Sequence, residues 1–160
     1  MKRLWAPWRM EYIAGEQPAK GKCFLCIEGD ADDNALVLVR RPTAFAIMNR
    51  YPYANGHVMV VPTRHVGRIE DLNDDELLEM MRLVRTVSSV LSEEMSIDGL
   101  NVGINMGKAA GAGLEEHIHI HVVPRWFGDT NFMPVVGETK VISEHLYETY
   151  RRLKSRIDAR

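Results

Sequence analysis

The run Glu116-His117-Ile118-His119-Ile120-His121-Val122-Val123-Pro124-Arg125 alternates imidazole with aliphatic side chains from His117 to Val122. Extended backbone turns successive side chains to opposite faces. The three rings therefore project from one face, and Ile118, Ile120 and Val122 from the other. The pattern predicts a strand with an apolar row toward a core and a histidine row toward a site. Packing alone would favour apolar or β-branched residues on both faces. The chain holds six histidines, and half of them stand here. Imidazole, with an unperturbed pKa of about 6.5, can attack an electrophile, relay a proton or bind a metal at neutral pH.

Immediately upstream lies Gly107-Lys108-Ala109-Ala110-Gly111-Ala112-Gly113, a loop of small residues whose backbone N–H groups can cradle an anion. Lys108 and Arg125 add positive charge, and phosphate is the expected anion. Two chemistries stay open at this point. Two or three rings can bind one metal, as in cupin-like barrels, with Glu115 or Glu116 as a carboxylate ligand. Alternatively, the middle ring is a nucleophile that its neighbours orient. The adjoining loop favours the second.

Farther out, Ala35–Val39, Phe45–Met48, Gly56–Val61 and Gly99–Ile104 read as strands, punctuated by Arg41-Pro42, Asn55-Gly56 and Pro62. Asn73 opens the clearest helix, with Glu76 three residues on as in a capping box. Leu77, Met81, Val84, Val87, Leu91 and Met95 carry one apolar stripe to about residue 96. A second, polar helix is expected from Ser143 to Ile157. Residues 1–22 read as an irregular arm whose Trp5, Trp8 and Tyr12 need a packing surface. Strands joined by tight turns, with helices segregated from them, predict an α+β fold. At 160 residues, with no internal repeat and no long linker, the chain is expected to form one domain over 1–160. Its arm would be 1–22 and its C-terminal extension 128–160.

Composition narrows the function classes. The apolar share of 46% and charged share of 26% are ordinary for a soluble protein. A net charge of -2 provides no global field to recruit nucleic acid or an anionic membrane. No apolar run approaches the length of a membrane span, and MKRLWAPWRMEYIAGEQ lacks the apolar core of a secretory signal. Cys23 and Cys26 are the only cysteines, spaced C-x-x-C. That spacing suggests a metal site or a redox pair more than a structural disulfide. The expected location is the cytoplasm.

His117-Ile118-His119-Ile120-His121-Val122-Val123 resembles the signature of the histidine-triad (HIT) family, in which histidines alternate with apolar residues. Met48-Asn49-Arg50-Tyr51-Pro52, Gly56-His57-Val58, Val61-Pro62 and Asn105-Met106-Gly107 are similar, in the same order, to that family's nucleotide-pocket segments. The resemblance covers about residues 23–127. The flanks Leu4-Trp5-Ala6-Pro7-Trp8-Arg9-Met10 and Pro124-Arg125-Trp126-Phe127-Gly128-Asp129-Thr130-Asn131-Phe132-Met133-Pro134 resemble the diadenosine-tetraphosphate phosphorylase-type branch.

The resemblance implies a five-stranded antiparallel sheet with one long helix and a C-terminal helix, assembled as a homodimer or higher homo-oligomer. It implies nucleotidyl transfer or hydrolysis on adenine dinucleoside polyphosphates through a covalent nucleotidyl-histidine, with water or inorganic phosphate as the acceptor and phosphorolysis preferred. By position, His119 would be the nucleophile, His121 would contact the phosphate and leaving group, and His57 would help orient the nucleophile. Asn49 would bind the ribose hydroxyls, with a plain turn role as its alternative. Asn105 would lie near the α-phosphate, and Phe45 and Ile47 would line the base pocket. Gly111, Ala112, Gly113 and Leu114 would form the phosphate loop. Many relatives carry a polar side chain, often glutamine, in that loop; here Ala110-Gly111-Ala112-Gly113-Leu114 lacks one, so backbone N–H groups of Ala112 to Leu114 would replace it. Cys23, Cys26, His65 and His117 match a closed Cys2His2 zinc set of structural type. The alternatives are a nucleoside phosphoramidate or dinucleotide hydrolase, or a nucleotide-binding regulator with little turnover.

Overall fold

The computed structural model describes residues 23–27, 32–129 and 144–160. The arm over 1–22, Thr130–Pro134 and the expected helix start at Ser143 lie outside them. In chain order the elements are α1 (Asp32–Ala35), β1 (Val37–Arg40), β2 (Ala44–Met48), β3 (Val58–Pro62), α2 (Asp74–Met95), β4 (Gly99–Ile104), β5 (Ile120–Arg125) and α3 (Leu146–Asp158). Single 3-10 turns occupy Ile69–Asp71 and Lys108–Ala110. The strands form one five-stranded antiparallel sheet in the order β1-β2-β3-β5-β4. The fold class is α+β, as the sequence predicts.

Strand alternation divides the sheet into two faces. Ala44, Ala46 and Met48 of β2, Val58 and Val60 of β3, and Ile120 and Val122 of β5 pack in one core. That core is covered by Met80, Leu83, Val84, Val87, Val90 and Leu91 of α2 and by Tyr150, Leu153 and Ile157 of α3. The intervening residues face the other way, where Val37, Phe45, Ile47, Met59 and Val61 meet Leu25 in a second apolar cluster. Asn73 caps α2 as expected: its side chain accepts from Glu76 N–H at 2.9 Å, and Glu76 Oε2 accepts from Asn73 N–H at 2.9 Å. The buried Glu76 carboxylate also receives Arg64 Nε at 2.9 Å and Nη2 at 2.8 Å, which ties the β3–α2 connection to the helix start.

Two expectations are corrected. Met81 is 55% exposed, and the buried stripe runs instead through Met80, Leu83 and Val90 together with Val84, Val87 and Leu91. The helix meets both the sheet and α3, so it buries a broader face than one narrow stripe describes. The histidine strand pairs regularly only from Ile120, whereas His117 and His119 precede the ladder. Its neighbour β3 ends at Pro62, which has no N–H to extend the ladder. The segment after Pro62 takes over, with Ile118 N–H donating to the Val66 carbonyl at 2.7 Å.

Candidate functional site

Histidine alternation survives this change of support: Ile118, Ile120 and Val122 enter the helix-side core, and the rings take the opposite face. His121 pairs with Met59 on one side and Gly103 on the other. Both ladders end on the rung Val60–Ile120–Ile104, and the next residues along the three segments are Val61, His119 and Asn105. The histidines thus stand at one end of the apolar row Met59, Val61, Ile47, Phe45 and Val37. A flat aromatic group attached to a reacting phosphate can lie along such a row.

Hydrogen-bond chemistry assigns each ring its tautomer. His119 Nδ1 stands 2.9 Å from the His117 carbonyl, which can only accept, so Nδ1 carries the proton and Nε2 the lone pair. Burial is the main cause that lowers the His119 pKa, with the carbonyl bond partly offsetting it, so the ring is held neutral. A neutral imidazole with Nε2 unprotonated is the nucleophilic form.

His121 belongs to a different chain of contacts. Tyr53 N–H donates to His57 Nδ1 at 3.1 Å, and Asn49 Nδ2 approaches the same nitrogen at 3.3 Å. Two donors on Nδ1 leave the His57 proton on Nε2, which lies 3.0 Å from His121 Nδ1. His121 Nδ1 is then the acceptor, and in its neutral form the His121 proton sits on Nε2. The His119 and His121 rings meet edge to face with centroids 4.8 Å apart. Their Nε2 atoms offer complementary chemistry, a lone pair on one and a proton on the other. Tyr53 stacks on His57 with centroids 4.7 Å apart and a 25° interplanar angle. His57 reaches His121, so any influence it has on His119 passes through that ring.

His117 has left this pair. Its Nε2 donates to the Pro62 carbonyl at 2.8 Å, leaving Nδ1 as a lone pair toward Cys23 Sγ at 3.3 Å and Cys26 Sγ at 3.7 Å. Cys26 Sγ lies 3.2 Å from His65 Nδ1. The ligand atoms of Cys23, Cys26, His65 and His117 all fall within 4.8 Å of one another. Tetrahedral zinc with bonds of about 2.3 Å to sulfur and about 2.0 to 2.1 Å to nitrogen would separate S from N by about 3.6 Å. The donor set fits such an ion, and the Pro62 carbonyl is the kind of outer partner that fixes a ligating ring. Burial, chiefly, lowers the His117 pKa and keeps it in the ligating neutral form. Three triad rings on one metal is excluded, because His117 turns to the cysteines and His121 to His57.

Of the remaining expected residues, Phe45 and Ile47 lie in the apolar row on the histidine face. Asn49 also makes a turn, its Oδ1 accepting from Tyr51 N–H at 2.9 Å. In the loop, Gly107 and Gly111 adopt φ of +76° and +84°, conformations that favour glycine. Ala112 N–H bonds the Gly107 carbonyl at 3.3 Å and so works inside the loop. Leu114 packs beside the second apolar cluster, and Gly113 precedes it. Lys108 pairs with Glu115 at 3.7 Å. Arg125 does not serve the loop: it pairs with Asp129 at 2.6 Å, and six residues of strand put it about 20 Å from His119. Sequence reasoning missed Tyr53, Leu25, Met59 and Val61. The two β3 residues were legible from strand alternation; Tyr53 acts through a backbone N–H, which carries no side-chain signal.

Residues 31–128 match the HIT domain family. The chain is 42% identical over 162 aligned residues to AP-4-A phosphorylase of Mycobacterium tuberculosis, covering 96% of this chain and 83% of that protein. It is 40% identical over 82 residues to bis(5'-adenosyl)-triphosphatase of Dictyostelium discoideum, covering 51% and 54%. Among solved structures it resembles a Zn-bound histidine triad family protein from Mycobacterium smegmatis, with a TM-score of 0.68, 25% identity, and coverage of 86% of this chain and 94% of that one. With three alternating histidines in the family's positions, a sheet of the same kind and a match spanning most of its length, this chain belongs to the HIT domain family.

Proposed function

We propose that this chain transfers nucleotidyl groups from adenine dinucleoside polyphosphates through a covalent nucleotidyl-histidine on His119, and that it splits diadenosine tetraphosphate by phosphorolysis. The observation that carries this reading is the Nδ1–H of His119 donated to the His117 carbonyl, which aims an unprotonated Nε2 out of the buried ring. His119 Nε2 attacks the α-phosphorus, a P–N bond forms, and the bond to the bridging oxygen breaks to release ATP. His121 Nε2–H, its tautomer set through His57, hydrogen-bonds the phosphate and the departing oxygen. An oxygen of inorganic phosphate then attacks the adenylyl-histidine; the P–N bond breaks and ADP leaves. The similarity to an AP-4-A phosphorylase supports the substrate class.

In this reading the adenine lies against Phe45 and Ile47, Asn49 takes the ribose hydroxyls, and Asn105 contacts the α-phosphate. The loop Gly111, Ala112, Gly113 and Leu114 carries the distal phosphates. Cys23, Cys26, His65 and His117 hold a structural zinc, whose contribution is to clamp the ligands and steady the approach to His119. The chain works as a homodimer or higher homo-oligomer in the cytoplasm. An assembly through the sheet edge is supported by the outermost position of β4 and the exposure of Val102 and Met106. No helix among the described residues is long and apolar enough to cross a membrane.

Incubation with diadenosine tetraphosphate, with and without inorganic phosphate, tests the proposal. ADP and ATP formed only with phosphate is the expected result. ATP and AMP formed regardless of phosphate would replace phosphorolysis by hydrolysis, and absence of turnover would reduce the chain to a nucleotide-binding regulator.

A further inference from the structure

We infer that Gly67 is a positioning residue for both the metal ligands and the nucleophile: it lets the chain after β3 lie directly against the backbone that leads into the histidine strand. A Cβ built at Gly67 would stand 2.5 Å from the Glu115 carbonyl oxygen, 3.2 Å from Glu116 Cα and 3.3 Å from the Glu116 carbonyl carbon. All three obstacles are backbone, so no side-chain rotation relieves them. The first contact is about 1 Å inside ordinary van der Waals separation. Gly67 does not have the positive φ that favours glycine, so the constraint is one of space alone. Gly99 and Gly103 offer a contrast, since a Cβ at either meets nothing within 4 Å.

The close approach has functional neighbours on both strands of chain. On one side run Pro62, whose carbonyl holds His117 Nε2 at 2.8 Å, His65, and Val66, whose carbonyl holds Ile118 N–H at 2.7 Å. On the other run Glu115, Glu116, His117 and Ile118. The His65 and His117 rings meet edge to face at 5.0 Å between these two segments. The His117 carbonyl is also the acceptor that sets the His119 tautomer. Pushing the segments apart at Gly67 therefore separates the ligand pair and shifts the carbonyl behind the nucleophile. It leaves the apolar row of Phe45, Ile47, Met59 and Val61 untouched.

The catalytic and cobalt readouts rest on the proposed nucleotidyl transfer and zinc site; the proton-exchange readouts do not. Gly67→Ala is expected to keep the helical circular dichroism signal and to weaken cobalt(II) binding, followed by its visible absorption, by about 10- to 100-fold. Its kcat on diadenosine tetraphosphate should fall by about 10- to 100-fold, with KM within about threefold of the unaltered protein. The Ile118 amide should lose protection from hydrogen exchange while amides of Met80 to Leu91 keep theirs. A folded Gly67→Ala with unaltered cobalt affinity, Ile118 protection and kcat overturns the inference. The unaltered protein supplies a test that needs no variant: the Ile118 amide and the His117 Nε2 proton should exchange as slowly as core amides. Exchange at the rate of an exposed loop would also overturn it. If the unaltered protein neither turns over nucleotide nor binds cobalt, the proposed function fails while these proton readouts still decide the role of Gly67.

Discussion

His119 and His121 share a strand face and nearly the same burial, yet one hydrogen bond each makes them opposites. A carbonyl behind His119 withdraws the proton from its working nitrogen, and the relay through His57 puts one on His121's. In the proposed reaction His119 is the attacking ring, so His119→Ala should lower kcat by at least about a thousandfold while nucleotide affinity stays within a few-fold. Equilibrium binding of a non-cleavable dinucleotide beside steady-state kinetics checks both halves. His57 acts one ring farther back. His57→Ala should cost about a hundredfold in kcat, as expected when a relay partner is lost and the nucleophile is kept. Equal losses for the two variants would contradict the division of roles. At the proposed metal site, Cys23→Ser removes one of the four donors. The purified variant should contain much less zinc by elemental analysis, and unchanged zinc would count against these ligands.

Among the elements, α2 and its capping box link the core to the site. Asn73 satisfies the helix start, and Glu76, held in the same box, receives the guanidinium of Arg64, the residue before His65. Arg64 keeps the Glu76 carboxyl below the usual carboxylate range, despite the cost of burial. Asn73→Ala should destabilise the fold by about 1 kcal/mol, measured by urea unfolding. Its kcat should stay unchanged, because the cap touches neither His119 nor the metal ligands. A drop in kcat without a drop in stability would mean that the capping box governs the site more directly.

Across the whole molecule, α3 is fastened over α2 by its own ion pairs. Glu93 meets Arg156 at 2.8 Å and also pairs with Arg160 and Ser89, while Arg156 reaches Glu94 at 3.3 Å. Bonds from Arg156, then Arg160 and Ser89, hold the Glu93 pKa down to about 2, against an ordinary 4.5. A carboxyl with a lowered folded pKa binds its proton more readily in the unfolded chain. Its stabilisation is therefore complete above the ordinary carboxylate pKa and is lost as pH falls from about 4.5 toward 2. The Tm of the unaltered protein should exceed that of Glu93→Gln at pH 6, and the gap should close on acidification through this window. Being exposed, the pairs are also screened by salt, so the gap at pH 6 should narrow at high ionic strength.

Local pattern alone carried much of this fold. Alternation from His117 to Val122 assigned faces, Asn73 and Glu76 marked the helix start, and glycines marked the loop, because those signals are periodic or depend on one residue's own chemistry. Resemblance then grouped Cys23 and Cys26 with His65 and His117. What the chain could not declare by itself depends on atoms brought together from distant positions. Met81, on the expected stripe, lies exposed because the angle at which α2 meets the sheet and α3 chooses the buried face. Arg125 turned to Asp129, four residues on, and to Asn101, a partner that only strand pairing supplies. The tautomers of His57, His119 and His121 were set by backbone groups of Tyr53 and His117, which every residue possesses and no motif records. Alternation along the chain put three imidazoles on one face; the fold left His119 with a bare Nε2, His121 with an Nε2–H and His117 with a lone pair toward the cysteines, since a ring's proton goes where its neighbours leave room for it.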